Sequence, residues 1–205
     1  MPRPRSDIRQ RILRSARRRF LEQGVDAASL RTIARGARTS IGMVYYYFPS
    51  KDDLFLAVVE VVYARLLADL EVALAPDVPP RERLDRLYLR IGAVSGEEMD
   101  IIRMIIREAL TSTRRLEQLI ARFQRGHMPL IMRTVVDGMA DGSIDRRRHP
   151  ALIFFTTLIL GMIPQLLFRM AGPRLPFADL PAGETLSREL ADLLFRGIGP
   201  AGDRT

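Results

Sequence analysis

The sequence predicts an all-α fold: an N-terminal three-helix helix-turn-helix domain, joined by a long helix to a C-terminal helical domain. Three observations carry that prediction. Apolar residues recur at helical spacing along all 205 residues, and no long alternating β-branched segment interrupts them. Capping residues, glycines and prolines fall where helices of ordinary length would start and stop. Positive charge collects at one end. Residues 1–55 hold 12 Lys+Arg against 5 Asp+Glu, a net +7, while residues 56–205 hold 20 against 19, a net +1, and together these give the +8 of the chain. A basic head on a near-neutral body points to a polyanionic partner for the head.

The elements follow in order. The first helix is expected to begin at Ser6 or Asp7 as N-cap. Ile8, Ile12, Ala16 and Phe20, four residues apart, form its buried stripe, and Arg9, Arg11, Arg14, Arg17, Arg18 and Arg19 occupy much of the rest. Gly24 is placed to end it. Ser29 caps a second, short helix with Leu30, Ile33, Ala34 and Ala37 on its buried face. Arg38-Thr39 breaks the chain, and Ser40 caps a third helix from Ile41 to Phe48. Pro49 stops that helix, because proline lacks an amide hydrogen and disfavours helical geometry in the residue before it. Ser50-Lys51-Asp52-Asp53 starts a fourth helix, with Asp53 at the capping-box position where Glu or Gln is usual.

The fourth helix should run to about Ala75, and the segment from Asp77 to Pro80 stops it. Further helices are expected over 81–95, 97–111, 114–139, 150–171 and 184–198. Gly126 and Pro129 should kink or split the one from 114. Gly172-Pro173 and Pro176 to Gly183 read as the last long loop. The domains are expected at 1–52 and 53–205.

Several function classes are disfavoured. Without cysteine there are no disulfides and no cysteine zinc sites, and a reducing cytoplasm is the simplest setting. The start, MPRPRSDIRQR, has no apolar core of a secretory signal. His127 and His149 stand apart, with no HExxH spacing and no glycine-rich phosphate loop, so no enzyme, metal or cofactor is expected. Ala151 to Phe168 is uncharged and just reaches membrane-span length, but contains Gly161, Pro164 and Gln165. A buried helix is expected there, and a membrane-associated helical protein anchored by residues 151–168 is the alternative.

The stretch ARTSIGMVYYYFPSKDDL carries the chemistry. Two short helices across a tight turn make a helix-turn-helix, whose second helix enters the DNA major groove. Helical geometry puts Val44 and Phe48 on the core side and Gly42, Met43 and Tyr46 opposite. Gly42, lacking a side chain, lets a base or phosphate approach the backbone. Tyr47 fills the seam between the small helices. Tyr45 and Tyr46 can offer hydroxyls to phosphates, Met43 and Ile41 can meet thymine methyls, and Thr39 and Ser40 can donate near the helix start. Lys51, in the first turn of the fourth helix, suits a phosphate clamp.

Gly24 through Leu54 resemble the DNA-binding domain of the TetR family of bacterial transcriptional regulators. The residues that carry the resemblance are Gly24, Ser29, Ile33-Ala34, Ala37 to Ser40, Gly42, Val44, Tyr45, Tyr47-Phe48, Lys51 and Leu54. They cover about a quarter of the chain. One departure stands out: the family's turn glycine after Ala37 is Arg38 here. If the turn keeps its shape, Arg38 is left-handed at a cost of roughly 1 kcal/mol or more, which an arginine at the DNA surface would offset.

The resemblance implies a homodimer on a near-palindromic double-stranded DNA operator, acting as a repressor released by a small-molecule effector, with no membrane partner. It also implies that the last two helices pair with those of a second copy, for which Phe154, Leu158, Leu186, Leu190 and Leu194 are the candidates. A lipophilic effector suits Met99, Met104, Met128, Met132 and Met162, because methionine adapts to varied apolar shapes, although it is also ordinary core filler. Met139 and Met170 also fall in the body. Arg103 and Arg107, one turn apart, can meet an acidic ligand group or bond to a neighbouring helix.

Overall fold

The computed structural model describes residues 5–171, 181 and 183–198. Among them the chain forms α1 (Arg5–Gln23), α2 (Leu30–Gly36), α3 (Ile41–Tyr47), α4 (Lys51–Ala73), α5 (Pro80–Gly92), α6 (Gly96–Thr111), α7 (Thr113–Gln124), α8 (His127–Asp141), α9 (Pro150–Ala171) and α10 (Gly183–Ile198), with no strand among the described residues. The expected loop from Gly172 lies outside the described residues up to Gly183, apart from Pro181, and so does the side chain of Met170.

The helices gather into two compact units, Met1–Arg65 with Gly96–Arg122, and Leu66–Ser95 with Phe123–Thr205. Compactness therefore does not divide the chain at 52/53. The start of α4, all of α6 and most of α7 join the N-terminal helices, because α6 and α7 bury Met99, Ile101, Met104 and Leu119 within this unit and bond to the α1–α2 loop.

In the first unit, Ile12, Ala16 and Phe20 are fully buried along α1, and the Phe20 ring meets the edge of Phe55 at 6.5 Å. The helix already begins at Arg5, so neither Ser6 nor Asp7 caps it; Asp7 instead pairs with Arg11 one turn on, at 3.4 Å. Gly24 ends α1 in the left-handed region (φ 82°) and returns its amide to the Phe20 carbonyl at 2.9 Å. The capping box of α4 forms with the shorter acid: the Asp53 carboxylate accepts from the Ser50 amide, and the Ser50 hydroxyl accepts from the Asp53 amide, each at 3.0 Å.

The second unit is built from the end of α4 with α5, α8, α9 and α10. Leu84, Leu87, Tyr88, Ile131, Val135 and Ile153 lie at its centre. The sequence break falls at Gly126, which caps α8, while Pro129 sits harmlessly in the first turn. The residues expected to meet a second copy are largely used inside this unit. Phe154 (5% exposed), Leu186, Leu190 and Leu194 belong to its core, and Leu158 packs against it. The physical reason is economy of burial: α10 has one apolar stripe and α5 and α9 consume it. Polar groups fix the register here, with Gln165 donating to the Ser187 hydroxyl at 3.0 Å and Tyr88 donating to the Thr157 carbonyl at 3.1 Å. The side of α9 left outward is Leu152, Phe155, Ile159, Ile163 and Leu167, an apolar stripe at helical spacing with Phe155 55% exposed.

Candidate nucleic-acid interface

α3 forms because Ser40 supplies an oxygen to an otherwise unpaired amide. Its hydroxyl accepts from the Met43 amide at 3.2 Å. Phe48, extended at φ −139°, ends the helix. Val44 and Phe48 are buried, which fixes the rotation of the helix about its axis. The opposite side is open: Tyr46 is 69% and Tyr45 52% exposed, and Gly42 and Ile41 are exposed beside them. A Cβ added at Gly42 would meet only the Ser40 hydroxyl, at 3.7 Å. Met43 and Thr39 are half-buried. Tyr47 is half-buried in the seam, its ring edge-on to Tyr46 at 5.1 Å and tilted against Phe48 at 6.3 Å.

Ser29 caps α2 by backbone geometry alone, and its side chain makes no cap bond. The turn between α2 and α3 keeps the shape that favours glycine. Arg38 has φ 52° and is the one non-glycine residue with positive φ among the described residues. Its amide donates to the Arg35 carbonyl and that of Thr39 to the Ala34 carbonyl, each at 3.0 Å. These bonds hold the strained residue in place with its guanidinium exposed.

Lys51 is not free in this structure: its ammonium donates to the backbone carbonyl of Asp26 at 2.8 Å. That carbonyl belongs to a charged junction that the sequence did not reveal. Arg115 of α7, 5% exposed, donates to both carboxylate oxygens of Asp26 at 2.7 and 2.9 Å and to Asp52 at 3.2 Å, and lies 3.0 Å from Glu108. Glu108 is itself buried and accepts from the Val25 amide at 3.1 Å. The hydrogen bond from Arg115 holds the Asp26 carboxyl below its ordinary value and, in return, raises Arg115. The junction ties α6 and α7 to the α1–α2 loop and the first turn of α4. Its members are 26, 52, 108 and 115, and no local spacing announces such a group.

The seven residues considered for an effector fall into two sets. Met99, Arg103, Met104 and Arg107 belong to the first unit, and Met128, Met132 and Met162 to the second. Arg107 does not await an acidic ligand: it donates to the Phe20 and Leu21 carbonyls at the end of α1, the latter at 3.2 Å. A cation suits that negative helix end. Met99 and Met104 are buried in the first unit, Arg103 is exposed, and Met128, Met132 and Met162 are half-buried.

The segment that carries these helices also matches known proteins. The family model for bacterial regulatory proteins of the tetR family matches residues 12–58. The uncharacterized HTH-type transcriptional regulator YhgD of Bacillus subtilis is 23% identical over 154 residues, spanning 75% of this chain and 80% of YhgD. The HTH-type transcriptional repressor NicS of Pseudomonas putida is 38% identical over 56 residues, 27% of this chain and 26% of NicS. Among solved structures, a TetR-like transcriptional regulator from Rhodococcus sp. RHA1 superposes with a TM-score of 0.71 at 23% identity, covering 96% of this chain and 98% of that one. FadR from Bacillus subtilis, in complex with stearoyl-CoA, superposes with a TM-score of 0.74 at 17% identity, covering 92% and 98%.

Proposed function

The chain belongs to the TetR family of bacterial transcriptional regulators, and from that premise we propose that it acts in the cytoplasm as a homodimeric, effector-released repressor of a near-palindromic operator. TetR-family regulators are transcription factors rather than enzymes. The observation that carries the proposal is the rotation of α3: Val44 and Phe48 are inward, and Gly42, Tyr45 and Tyr46 present an open face. Ile41 and Met43 supply apolar contacts to base edges, and Ser29, Arg38, Thr39, Ser40, Tyr45 and Tyr46 reach phosphates or bases. Lys51 exchanges the Asp26 carbonyl for a phosphate.

The exposed stripe of α9 pairs with its copy in a second chain. Burying five large apolar side chains of one helix gives a two-fold interface its hydrophobic centre. α9 is also long and apolar enough to cross a membrane by length and composition. Gln165 and Thr157 are buried against α10 and α5 along its other side, which supports a helix of a folded domain.

The effector is lipophilic. FadR of Bacillus subtilis holds stearoyl-CoA, which supports that class, and Met128, Met132 and Met162 are this chain's candidate lining. The effector favours a conformation in which α4, continuous from Lys51 through both units, no longer spaces the two α3 helices for one duplex. NicS, a named repressor, supports repression as the output.

Sequencing the DNA recovered with the protein from its own cells tests this reading. A few sites sharing a two-fold symmetric sequence are expected, and recovery no richer than input DNA would reject it.

A further inference from the structure

We propose that α1 and the α2–α3 turn form a second phosphate-binding groove, outside the face of α3, in which Arg14, Arg18 and Arg38 grip the DNA backbone. The proposal rests on the DNA-binding reading and extends its contact set.

The arginines of α1 sort by partner. Arg17 bonds to Glu97 and Asp100 of α6, Arg19 to Glu22, and Arg11 pairs with Asp7, while Arg9 lies over the Phe48 ring. Arg17 and Arg9 thus tie α1 to other elements, and Arg11 and Arg19 are paired within α1 itself. The side chains of Arg14, Arg18 and Arg38 are exposed and have no bonded partner among the described residues. The three share the lining of one open cavity of about 590 Å³, along with Arg11, Asp7 and Ser15.

The floor of the cavity is fixed. Ser15 donates its buried hydroxyl to the Ile33 carbonyl at 2.9 Å, which locks α1 to α2. Gly36 lies directly above, where a Cβ would come within 2.5 Å of that hydroxyl, so the two helices meet as closely as glycine allows. The third guanidinium stands on the residue whose left-handed backbone costs stability. A rigid base, unneutralised guanidinium groups and a strained anchor describe a built site, not a solvated helix face.

The chemistry selects the ligand. Guanidinium forks match phosphate oxygens. Arg14 and Arg18 are one helical turn apart, about 6 Å along the axis, so they serve successive anions in a row. The lining has no ring on which a base could stack and only Ala37 as an apolar side chain, which disfavours a free nucleotide or an acyl chain. Arg38 lies two residues before Ser40, the cap of α3, so a DNA strand passing the start of α3 leads into the groove.

The test is the salt dependence of binding to a fluorescein-labelled duplex of random sequence, read by anisotropy for the intact dimer. For Arg14→Gln/Arg18→Gln the slope of log K against log [salt] should become shallower by about 1.8 per protomer, at about 0.9 per lost phosphate contact. The thermal midpoint should not change, and Arg14→Lys/Arg18→Lys should restore the slope. Arg188→Gln/Arg196→Gln removes equal charge from α10, where each arginine pairs with an acid one turn away, and should leave the slope alone. An unchanged slope in the Arg14/Arg18 variant overturns the groove. So does an unchanged slope together with a wild-type-only thermal shift by inorganic pyrophosphate, which would make the site one for free phosphate. Failure of the wild type to bind any duplex at low salt overturns the DNA-binding reading itself, and the groove with it.

Discussion

Arg115 closes a two-bonded pair on Asp26, 89 positions earlier in the chain, at 2.7 and 2.9 Å. The pair joins α7 to the loop between α1 and α2, and the same guanidinium reaches Asp52 and Glu108. Removing Arg115 strips the buried Glu108 of one of its two charge partners, leaving only Arg107 at 3.2 Å, and leaves the Asp26 and Asp52 carboxylates without their shared guanidinium. Breaking such a buried pair from one side costs about 3 kcal/mol. Arg115→Ala should therefore lower the midpoint of urea unfolding and weaken operator binding, because Asp26 and Asp52 flank the backbone that positions Lys51. Unchanged stability would show that the junction contributes nothing.

Acid should weaken the same junction. The Arg115 hydrogen bond holds the Asp26 carboxyl below its ordinary 3.8. A lowered acid contributes stability that is complete above its unfolded-chain value and is lost as pH falls through the folded value. Wild type should thus exceed Asp26→Asn in stability at neutral pH, with the difference shrinking only below about pH 3.8. Urea titrations at a series of pH values would show this, and a difference independent of pH down to strong acid would contradict it.

Gly42→Ala separates folding from binding. The new methyl group meets nothing closer than 3.7 Å, and alanine favours helix over glycine by up to about 1 kcal/mol. The variant should unfold at equal or higher denaturant and bind the operator at least tenfold more weakly, since about 1.4 kcal/mol of lost close approach corresponds to that factor. Calorimetry and anisotropy on one preparation would decide it.

Arg38→Gly should show the same opposition for a different reason. Glycine accepts φ 52° without penalty, so the variant gains roughly 1 kcal/mol of stability. It also gives up one guanidinium at the DNA, which makes the salt slope shallower by about 0.9 per protomer. A gain in stability with no change in slope would remove Arg38 from the contact set.

Neighbouring phenylalanines on α9 should behave differently. Phe155 is 55% exposed, and Phe155→Glu with Ile159→Glu should turn the proposed dimer into a folded monomer by sedimentation. Phe154 is in the core, and Phe154→Ala should instead cost about 3 kcal/mol in stability and leave the assembly state to follow folding. A dimer that survives the double glutamate variant would place the interface elsewhere.

These pairs also show what the sequence could tell. Local rules were legible: Ser40 and the Ser50/Asp53 box cap their helices and Gly24 stops α1, whereas Pro80, expected only to end the stop after α4, is itself the first residue of α5. The face of α3 was legible because Val44 and Phe48 are its apolar pair against open neighbours. The face of α9 was not, because a helix apolar on all sides gives no phase. Phe154 and Leu158, the residues expected to meet a second copy, lie in or against the core, while Phe155 and Ile159 occupy the exposed side. The Arg115 junction was equally hidden, since its four members come from separate segments. Ser6 and Asp7 misled because α1 starts before them.

The central claim is that α3 lies in the major groove with Gly42, Tyr45 and Tyr46 against the duplex. Guanine N7 is exposed only there, so methylation interference on a recovered operator tests it most directly. Methyl groups at N7 should block binding in two patches, one or more helical turns apart on a two-fold symmetric site. Interference confined to minor-groove adenine N3, or none at either position, would contradict it.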